Sequence, residues 1–225
     1  MGASSAELLL RLIGDHQPAY MAVVFDAGGR DERAELYPQY KQNRDECPAD
    51  LAPQFELARR ASAALGLCAI NAVDAEADDV IATLARRAHQ AGQKVVIVSS
   101  DKDLMQLVIE GQIELLDTMK EEGRGKLYGP REVEEKFGVP PAQLADVLAL
   151  MGDSSDNLPG VPGIGPKTAA QLIQQLGSVD GLLNGLDKIT VRGKDRVQAL
   201  LREHRDQLLL MRRLVALKED VPAAP

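Results

Sequence analysis

Acidic residues recur in four short clusters along the sequence, and three of these clusters follow apolar stretches that predict β-strands. The fourth lies in the turn GDSSDN. The clusters are Asp26; Glu76, Asp78 and Asp79; Asp101 and Asp103; and Asp153 and Asp156. Because the carboxyl ends of parallel strands meet at one edge of a sheet, we expect these side chains to converge there. For any single aspartate, an ordinary helix N-cap remains the alternative.

Such a convergence of carboxylates predicts a metal site. Two carboxylates about 4 Å apart repel by about 4 kcal/mol at an effective dielectric constant of about 20, and a divalent cation removes that repulsion. No His or Cys accompanies the clusters, so magnesium is expected rather than zinc, with manganese as a substitute. Two such ions about 4 Å apart hydrolyse phosphodiesters. Asp78, at the start of a predicted helix, is the expected bridging ligand.

A second motif, GVPGIGPKTA at 160–169, lies between two apolar helices and predicts a helix-hairpin-helix over 144–176. Free backbone N–H groups, a lysine and a threonine at the start of the second helix suit a sequence-independent grip on the DNA backbone. The residues expected to form it are Gly160, Gly163, Gly165, Lys167 and Thr168. An ordinary Gly-Pro connector between helices is the alternative.

A third motif interleaves aromatic and basic side chains within LYPQYKQNR at 36–44. Tyr37 and Tyr40 alternate there with Lys41 and Arg44. This combination suits stacking on bases and neutralising phosphates, so we expect DNA binding. Taken alone, the segment would more often be a solvated charged helix.

These motifs require a scaffold, and the pattern of apolar runs predicts one. Strand-like and helical segments alternate up to about residue 130, which predicts an α/β core with a doubly wound parallel sheet. The β-branched run at 94–101 is typical of a strand buried on both faces. We therefore expect an α/β core over 1–130, with an exposed, partly helical excursion at 30–50, and a helical subdomain over 131–225.

Composition limits the remaining classes of protein. The 225 residues are 45% hydrophobic and 27% charged, without an apolar run near the ~18 residues that cross a bilayer, so we expect no membrane partner. Two cysteines and no signal-like leader suit a reducing cytoplasm. The net charge of −8 disfavours a simple basic nucleic-acid surface, unless metal neutralises the eight clustered carboxylates.

Taken together, the motifs closely resemble the 5′ nuclease (flap endonuclease) domain of bacterial DNA polymerase I and its stand-alone relatives. The similarity runs from about residue 8 to the end, through FDA, YKQNR, EADDV, SSDKDLMQLV and LALMGDSSDNLPGVPGIGPKTA. The resemblance implies a PIN-like parallel-sheet nuclease core, two magnesium ions, and cleavage of DNA flaps, 5′ ends and RNA primers in DNA replication and repair. It also implies a DNA polymerase as partner and a monomer associated with the bacterial nucleoid.

The resemblance assigns a role to each matching residue. Lys41 and Arg44 would be catalytic, reaching the scissile phosphate from a helical arch, and the hairpin at 163–168 would hold duplex DNA with a potassium ion. The first metal would be held by Asp26, Glu76 and Asp78, and the second by Asp78, Asp101, Asp103, Asp153 and Asp156, with Asp79 adjacent.

The sequence departs from the family at its start. Family members open with a strand that ends in an aspartate, and no such segment precedes Ser5. The resemblance then implies one carboxylate fewer at the first metal and one strand fewer in the sheet. Two functions stay open: a magnesium-dependent 5′-3′ exonuclease and flap endonuclease, or a DNA-binding remnant that does not cut. A phosphatase with an aspartyl nucleophile in Asp101-Lys102-Asp103 is a third reading, but it leaves GDSSDN and the hairpin unexplained.

Overall fold

The computed structural model of the chain has an α/β first half and a helical second half, as predicted. It describes residues 5–26, 32–44, 47–49, 51–72 and 74–222. The expected excursion at 30–50 therefore lies partly outside the described residues, as does Ala27 of the FDA motif. No helix within the described ranges has the length and apolar character needed to cross a membrane.

Strands and helices alternate through the first half, close to the predicted bounds. They are α1 (Ser5–His16), β1 (Ala22–Asp26), α2 (Glu32–Leu36), α3 (Ala52–Ala64), β2 (Cys68–Ala72), α4 (Ala77–Gln90), β3 (Val95–Val98), β4 (Ile113–Asp117), β5 (Lys126–Tyr128) and α5 (Pro130–Phe137). A short helical turn at 103–107 joins β3 to β4. The strand β5 has only three residues and was not predicted from the sequence.

The predicted single sheet is found as two pieces. Parallel pairing joins β1 to β2 and, separately, β3 to β4, while β5 runs antiparallel to β4. Among the described residues, no pairing joins β1 to β3, although α4 packs against both strands. Because α4 supports both pieces, their carboxyl ends still open on the same side of the molecule.

The expectation that the run at 94–101 is buried on both faces is wrong. In β3 only Ile97 is buried, whereas Val96 and Val98 are 42% and 39% exposed. Alternate residues of a strand point to opposite faces. No described element covers the face that carries the two valines.

The second half consists of helices around a small hairpin. They are α6 (Leu144–Met151), β6 (Gly152–Asp153), β7 (Leu158–Pro159), α7 (Pro166–Leu176), α8 (Val179–Asn184), α9 (Lys194–Glu203) and α10 (Arg205–Val215). α6 is buried along almost its whole length because α7 and α10 pack against it. Together, α6, the connection and α7 form the predicted helix-hairpin-helix over 144–176.

A shared core fixes the helical half against the α/β half. One cluster of buried apolar side chains runs from Leu104 beside the sheet through Leu148 of α6 to Leu208 of α10. Beyond α10, the chain returns to α4, where the Val221 N–H donates to Thr83 Oγ1 at 3.1 Å. The burial of these apolar side chains in one shared core holds the two halves together.

Candidate active site

One open cavity of about 580 Å³ lies where β1, β3, the start of α4 and the β6–β7 loop meet. Seven of the eight carboxylates predicted from the sequence line it: Asp26, Glu76, Asp78, Asp101, Asp103, Asp153 and Asp156. Asp26 Oδ1 also accepts from the Ala77 N–H at the start of α4, at 2.8 Å. For Asp26, the helix-capping role and a place in the cavity therefore coexist.

Three of these carboxylates form a group that suits a metal ion. Asp103, Asp153 and Asp156 each offer an oxygen within 4.8 Å of the others. Asp103 Oδ1 is buried without a hydrogen-bond partner in the described chain, and Lys102 Nζ lies 3.6 Å away. A buried carboxylate oxygen without a donor is costly unless a cation completes its environment. This oxygen-only set fits a hard divalent cation.

Charge crowding perturbs two carboxyl groups in the cavity. Burial, followed by the negative charges of the neighbouring Asp101 and Glu76, raises the pKa of Asp78 to about 7. Burial also raises the pKa of Asp103 to about 7, against the opposing effect of the Lys102 ammonium. Each group therefore resists ionisation near neutral pH, and a bound cation would favour the ionised form.

Several residues that line the cavity were not predicted from the sequence, among them Lys102 and Asp117. Lys102 donates to Asp153 and lies between that carboxylate and Asp103. Asp117 ends β4, is 2% exposed, and accepts from the Met119 N–H at 3.0 Å. An aspartate at the end of a predicted strand was the signal used for Asp26, and it would have found Asp117 as well.

The motifs YKQNR and GDSSDN pack directly against each other. The Lys41 N–H donates to the Asp156 carbonyl at 3.0 Å, and Arg44 donates to Asp156 Oδ1 at 2.7 Å. Lys41 Nζ donates to Glu76. Lys41 itself has φ of +56°, a left-handed conformation that only the surrounding contacts maintain. Both predicted cations therefore line the cavity beside its carboxylates.

Tyr40 does not lie where base stacking would require. Its ring is 6% exposed and belongs to the hydrophobic core. Its hydroxyl lies 3.1 Å from Glu76 Oε2 and 3.0 Å from Asp156 Oδ2. Burial, followed by these two carboxylates, raises the pKa of Tyr40 strongly, so the hydroxyl stays protonated as a donor. Tyr37 is partly buried against the same core.

Asp79 lies apart from the other predicted ligands. It is 0% exposed, and Arg33 of α2 donates to both of its oxygens, at 2.6 and 2.8 Å. The Lys218 N–H donates to Asp79 Oδ1 at 2.9 Å. Arg33 also lies 3.4 Å from Glu76. Asp78 lines the cavity, whereas Asp79, the next residue of α4, faces Arg33 and anchors the start of this helix.

The predicted DNA-binding residues of the hairpin differ in exposure: Gly160 is packed against the backbone, and most of the others are exposed. A Cβ on Gly160 would lie 2.3 Å from the Met151 carbonyl carbon, so Gly160 permits a close backbone approach. Gly163, with φ of +82°, and Gly165 are exposed, as is Lys167, while Thr168 is half-buried. Within the described chain, the N–H groups of Gly165 and Lys167 have no acceptor. They are available to a phosphate.

Comparison with known families identifies the chain's relatives. The family model "5′-3′ exonuclease, N-terminal resolvase-like domain" matches residues 3–138, and "5′-3′ exonuclease, C-terminal SAM fold" matches residues 139–224. The chain belongs to the 5′-3′ exonuclease family. The resemblance to the 5′ nuclease domain of DNA polymerase I is thus confirmed, together with the PIN-like α/β fold and helical subdomain.

The curated relatives that this chain matches are much longer proteins. The chain is 46% identical over 206 residues to DNA polymerase I of Rhizobium leguminosarum, covering 91% of the chain and 19% of that protein. It is 40% identical over 215 residues to DNA polymerase I of Bacillus caldotenax, covering 96% and 24%. The chain therefore spans about a fifth to a quarter of the length of these relatives.

Solved structures share the fold of this chain. T5 5′-exonuclease with bound zinc superposes with a TM-score of 0.79 at 24% identity, covering 94% of this chain and 79% of that one. The catalytic core of Rad2 in complex with DNA gives a TM-score of 0.56 at 16% identity, covering 88% and 67%. At these identities the likeness shows the fold alone.

Proposed function

We propose that this chain is a structure-specific, magnesium-dependent 5′-3′ exonuclease and flap endonuclease. One observation carries the proposal: Asp103, Asp153 and Asp156 offer oxygens within 4.8 Å of one another in a cavity that also holds Lys41 and Arg44. Carboxylates that hold metal beside cations that attract phosphate are the parts a phosphodiesterase needs.

The described residues divide into two sets of ligands. Asp103, Asp153 and Asp156 would hold one divalent ion, with Asp101 adjoining, while Asp26, Glu76 and Asp78 would hold the other. When bound, the ions supply a water of lowered pKa and neutralise charge that develops on the phosphate. Magnesium suits the oxygen-only set, and manganese would substitute.

The protein's own cations would orient the substrate. Lys41 and Arg44 now pair with Glu76 and Asp156, and an entering phosphate would exchange these partners for its own oxygens. Tyr40, buried beneath them, holds Glu76 and Asp156 in place rather than stacking on a base. The exposed hairpin around Gly163, Gly165 and Lys167 would grip duplex DNA, with a potassium ion bound there.

The proposal extends to substrate and partners. DNA with 5′ flaps or ends, and RNA–DNA primers, are the proposed substrates, acted on by the monomer. A DNA polymerase is the proposed partner, since DNA polymerase I relatives carry this region within one chain. The rival is a remnant that binds DNA without cutting, and the absence of pairing between β1 and β3 in the described residues favours it.

Amide variants of the ligands test the proposal. Asp103→Asn and Asp153→Asn should lower magnesium-dependent cleavage of a 5′-flap DNA by at least about 100-fold, since even the groups that hydrogen-bond a metal's ligands matter by 10- to 100-fold. Flap binding should remain measurable. Asp180→Asn, which neutralises an exposed aspartate of α8, is the matched control and should cleave normally. Unchanged cleavage by Asp103→Asn would contradict the assignment.

A further inference from the structure

Two lysines of the cavity have no part in the function proposed so far. Lys120 lies in the turn after β4, and Lys136 lies in the last turn of α5. Both line the same cavity of about 580 Å³ as the carboxylates. We call them the lysine pair.

The lysine pair differs from the other cations of the cavity. Lys41, Arg44 and Lys102 each form an ion pair with a carboxylate of the site. In the part of the chain that the structure describes, Lys120 and Lys136 have no ion-pair partner. Their charges are therefore available to a ligand.

The surroundings of Lys136 are mainly apolar and positively charged. Its Nζ lies 4.0 Å from Met105 Sδ, and 5.2 and 5.1 Å from the ring centres of Tyr128 and Phe137. Burial lowers the pKa of Lys136, and the charges of Lys120, Lys102 and Lys126 lower it further, opposed by Asp117. Asp117 already accepts from a backbone N–H and lies beyond ion-pair distance.

Such a grouping calls for an anion from outside the chain. Both ammonium groups are exposed, so a ligand can reach them, and their like charges repel each other. A phosphate would relieve this repulsion, since the lysine ammonium is a compact point charge that binds phosphate without a fixed geometry. We propose that Lys120 and Lys136 bind a backbone phosphate of the nucleic-acid substrate, adjacent to the phosphate that is cut at the carboxylates. This rests on the proposed nuclease function and adds a substrate-positioning contact to it.

The salt dependence of DNA binding tests the contact without relying on cleavage. Binding of a 5′-flap DNA is measured in EDTA at several salt concentrations for wild type and for Lys120→Gln/Lys136→Gln. The slope of log K against log salt should become shallower by about 0.7 to 0.9 for each phosphate that the variant no longer binds. As a control, Lys94→Gln removes one positive charge from an exposed lysine just before β3, outside the cavity, and should leave the slope unchanged.

Neutral phosphates locate the contact on the DNA. A methylphosphonate is placed at one position at a time around the cut site. Wild type should bind more weakly when the substitution is at one position next to the scissile phosphate, whereas the affinity of the double variant should not change there. Equal effects on both proteins at every position would overturn the proposal.

The outcomes separate this proposal from the nuclease function. If wild type neither binds nor cuts flap DNA, the nuclease function itself fails. If wild type binds and cuts but the double variant keeps its slope, only the lysine pair is refuted. Should the double variant melt at a lower temperature, Lys120→Gln alone repeats the test, because Lys120 is an exposed turn residue.

Discussion

The side chains that line the cavity include more carboxylates than lysine and arginine cations, so negative charge is left unbalanced. Lys41, Arg44 and Lys102 each neutralise one carboxylate, yet Asp103 Oδ1 has no donor in the described chain. A proton held by Asp103 or Asp78 near neutral pH would take the place of the proposed metal. Proton and metal would then compete for the same oxygens.

This competition predicts how stability depends on pH. The pKa of Asp78 and Asp103 is about 7 in the folded chain against an ordinary 3.8, so between these values the folded state binds more protons. In EDTA, the free energy of unfolding should therefore fall as pH rises from about 4 to about 7, by roughly 1.4 kcal/mol per unit of pKa shift.

Urea unfolding at about pH 5 and about pH 8 measures this fall. Asp103→Asn should reduce it, and magnesium should abolish much of it by stabilising the ionised carboxylates. Asp180→Asn, at an exposed position, should keep the wild-type dependence. A metal-free protein that becomes more stable across this range would refute the charge argument.

Tyr40→Phe distinguishes a buried donor from a stacking ring. The change keeps the aromatic ring but removes the hydroxyl that lies 3.1 Å from Glu76 and 3.0 Å from Asp156. We expect a loss of about 1–3 kcal/mol of stability, since the buried Asp156 and the half-buried Glu76 lose the one donor that they share. Cleavage should fall while flap binding stays close to wild type. A variant with normal stability and cleavage would show that the hydroxyl is dispensable.

At the scale of elements, Arg33 joins three parts of the chain. It pairs with Asp79 of α4, and its guanidinium also donates to the carbonyls of Leu214, at 2.8 Å, and Ala216, at 2.9 Å. The base of the expected arch, the helix that carries Glu76 at its start and the end of α10 are thus held together. Breaking a buried ion pair on one side leaves an uncompensated charge.

Arg33→Met should therefore destabilise the protein by about 3–5 kcal/mol, measured by chemical unfolding. Arg33→Met/Asp79→Leu should recover part of the loss, because neither member of the pair then remains as an unpaired buried charge. The control is Arg131→Met, which breaks an exposed pair with Glu135 and should cost no more than about 1 kcal/mol. Equal effects of the two single changes would contradict a buried anchor.

Two glycines of the hairpin differ in how much space surrounds them. An added Cβ on Gly160 would lie 2.4 Å from the Gly152 nitrogen, whereas on Gly165 it would meet nothing within 4 Å. Gly160→Ala should force the backbone to move and lower the free energy of unfolding by about 1–3 kcal/mol. A lower melting temperature would report this loss. Gly165→Ala should fold normally. Similar melting of both variants would show that the close approach is not required.

Across the whole molecule, the sequence predicted what depends on chain order and missed what depends on packing between distant segments. Strand ends followed by acids located Asp26 and Asp101 because parallel strands share a direction. Asp79 is adjacent to Asp78 in sequence but faces Arg33, which only the packing of α2 on α4 determines. Tyr40 looked exposed because its burial requires the loop that carries Asp156. The division of the sheet likewise depends on which strands pair, and the apolar pattern of each strand alone does not determine its partner.

We propose that the carboxylate cavity cuts the 5′-ended strand of a branched DNA with magnesium. The most direct measurement incubates the purified chain with a labelled 5′-flap DNA, in magnesium or in EDTA, beside a 3′-flap DNA of the same sequence. We expect the 5′ flap to be released in magnesium but not in EDTA, and the 3′-flap DNA to stay uncut. Binding of the 5′-flap DNA without any cleavage in magnesium would contradict the claim and identify a DNA-binding remnant instead.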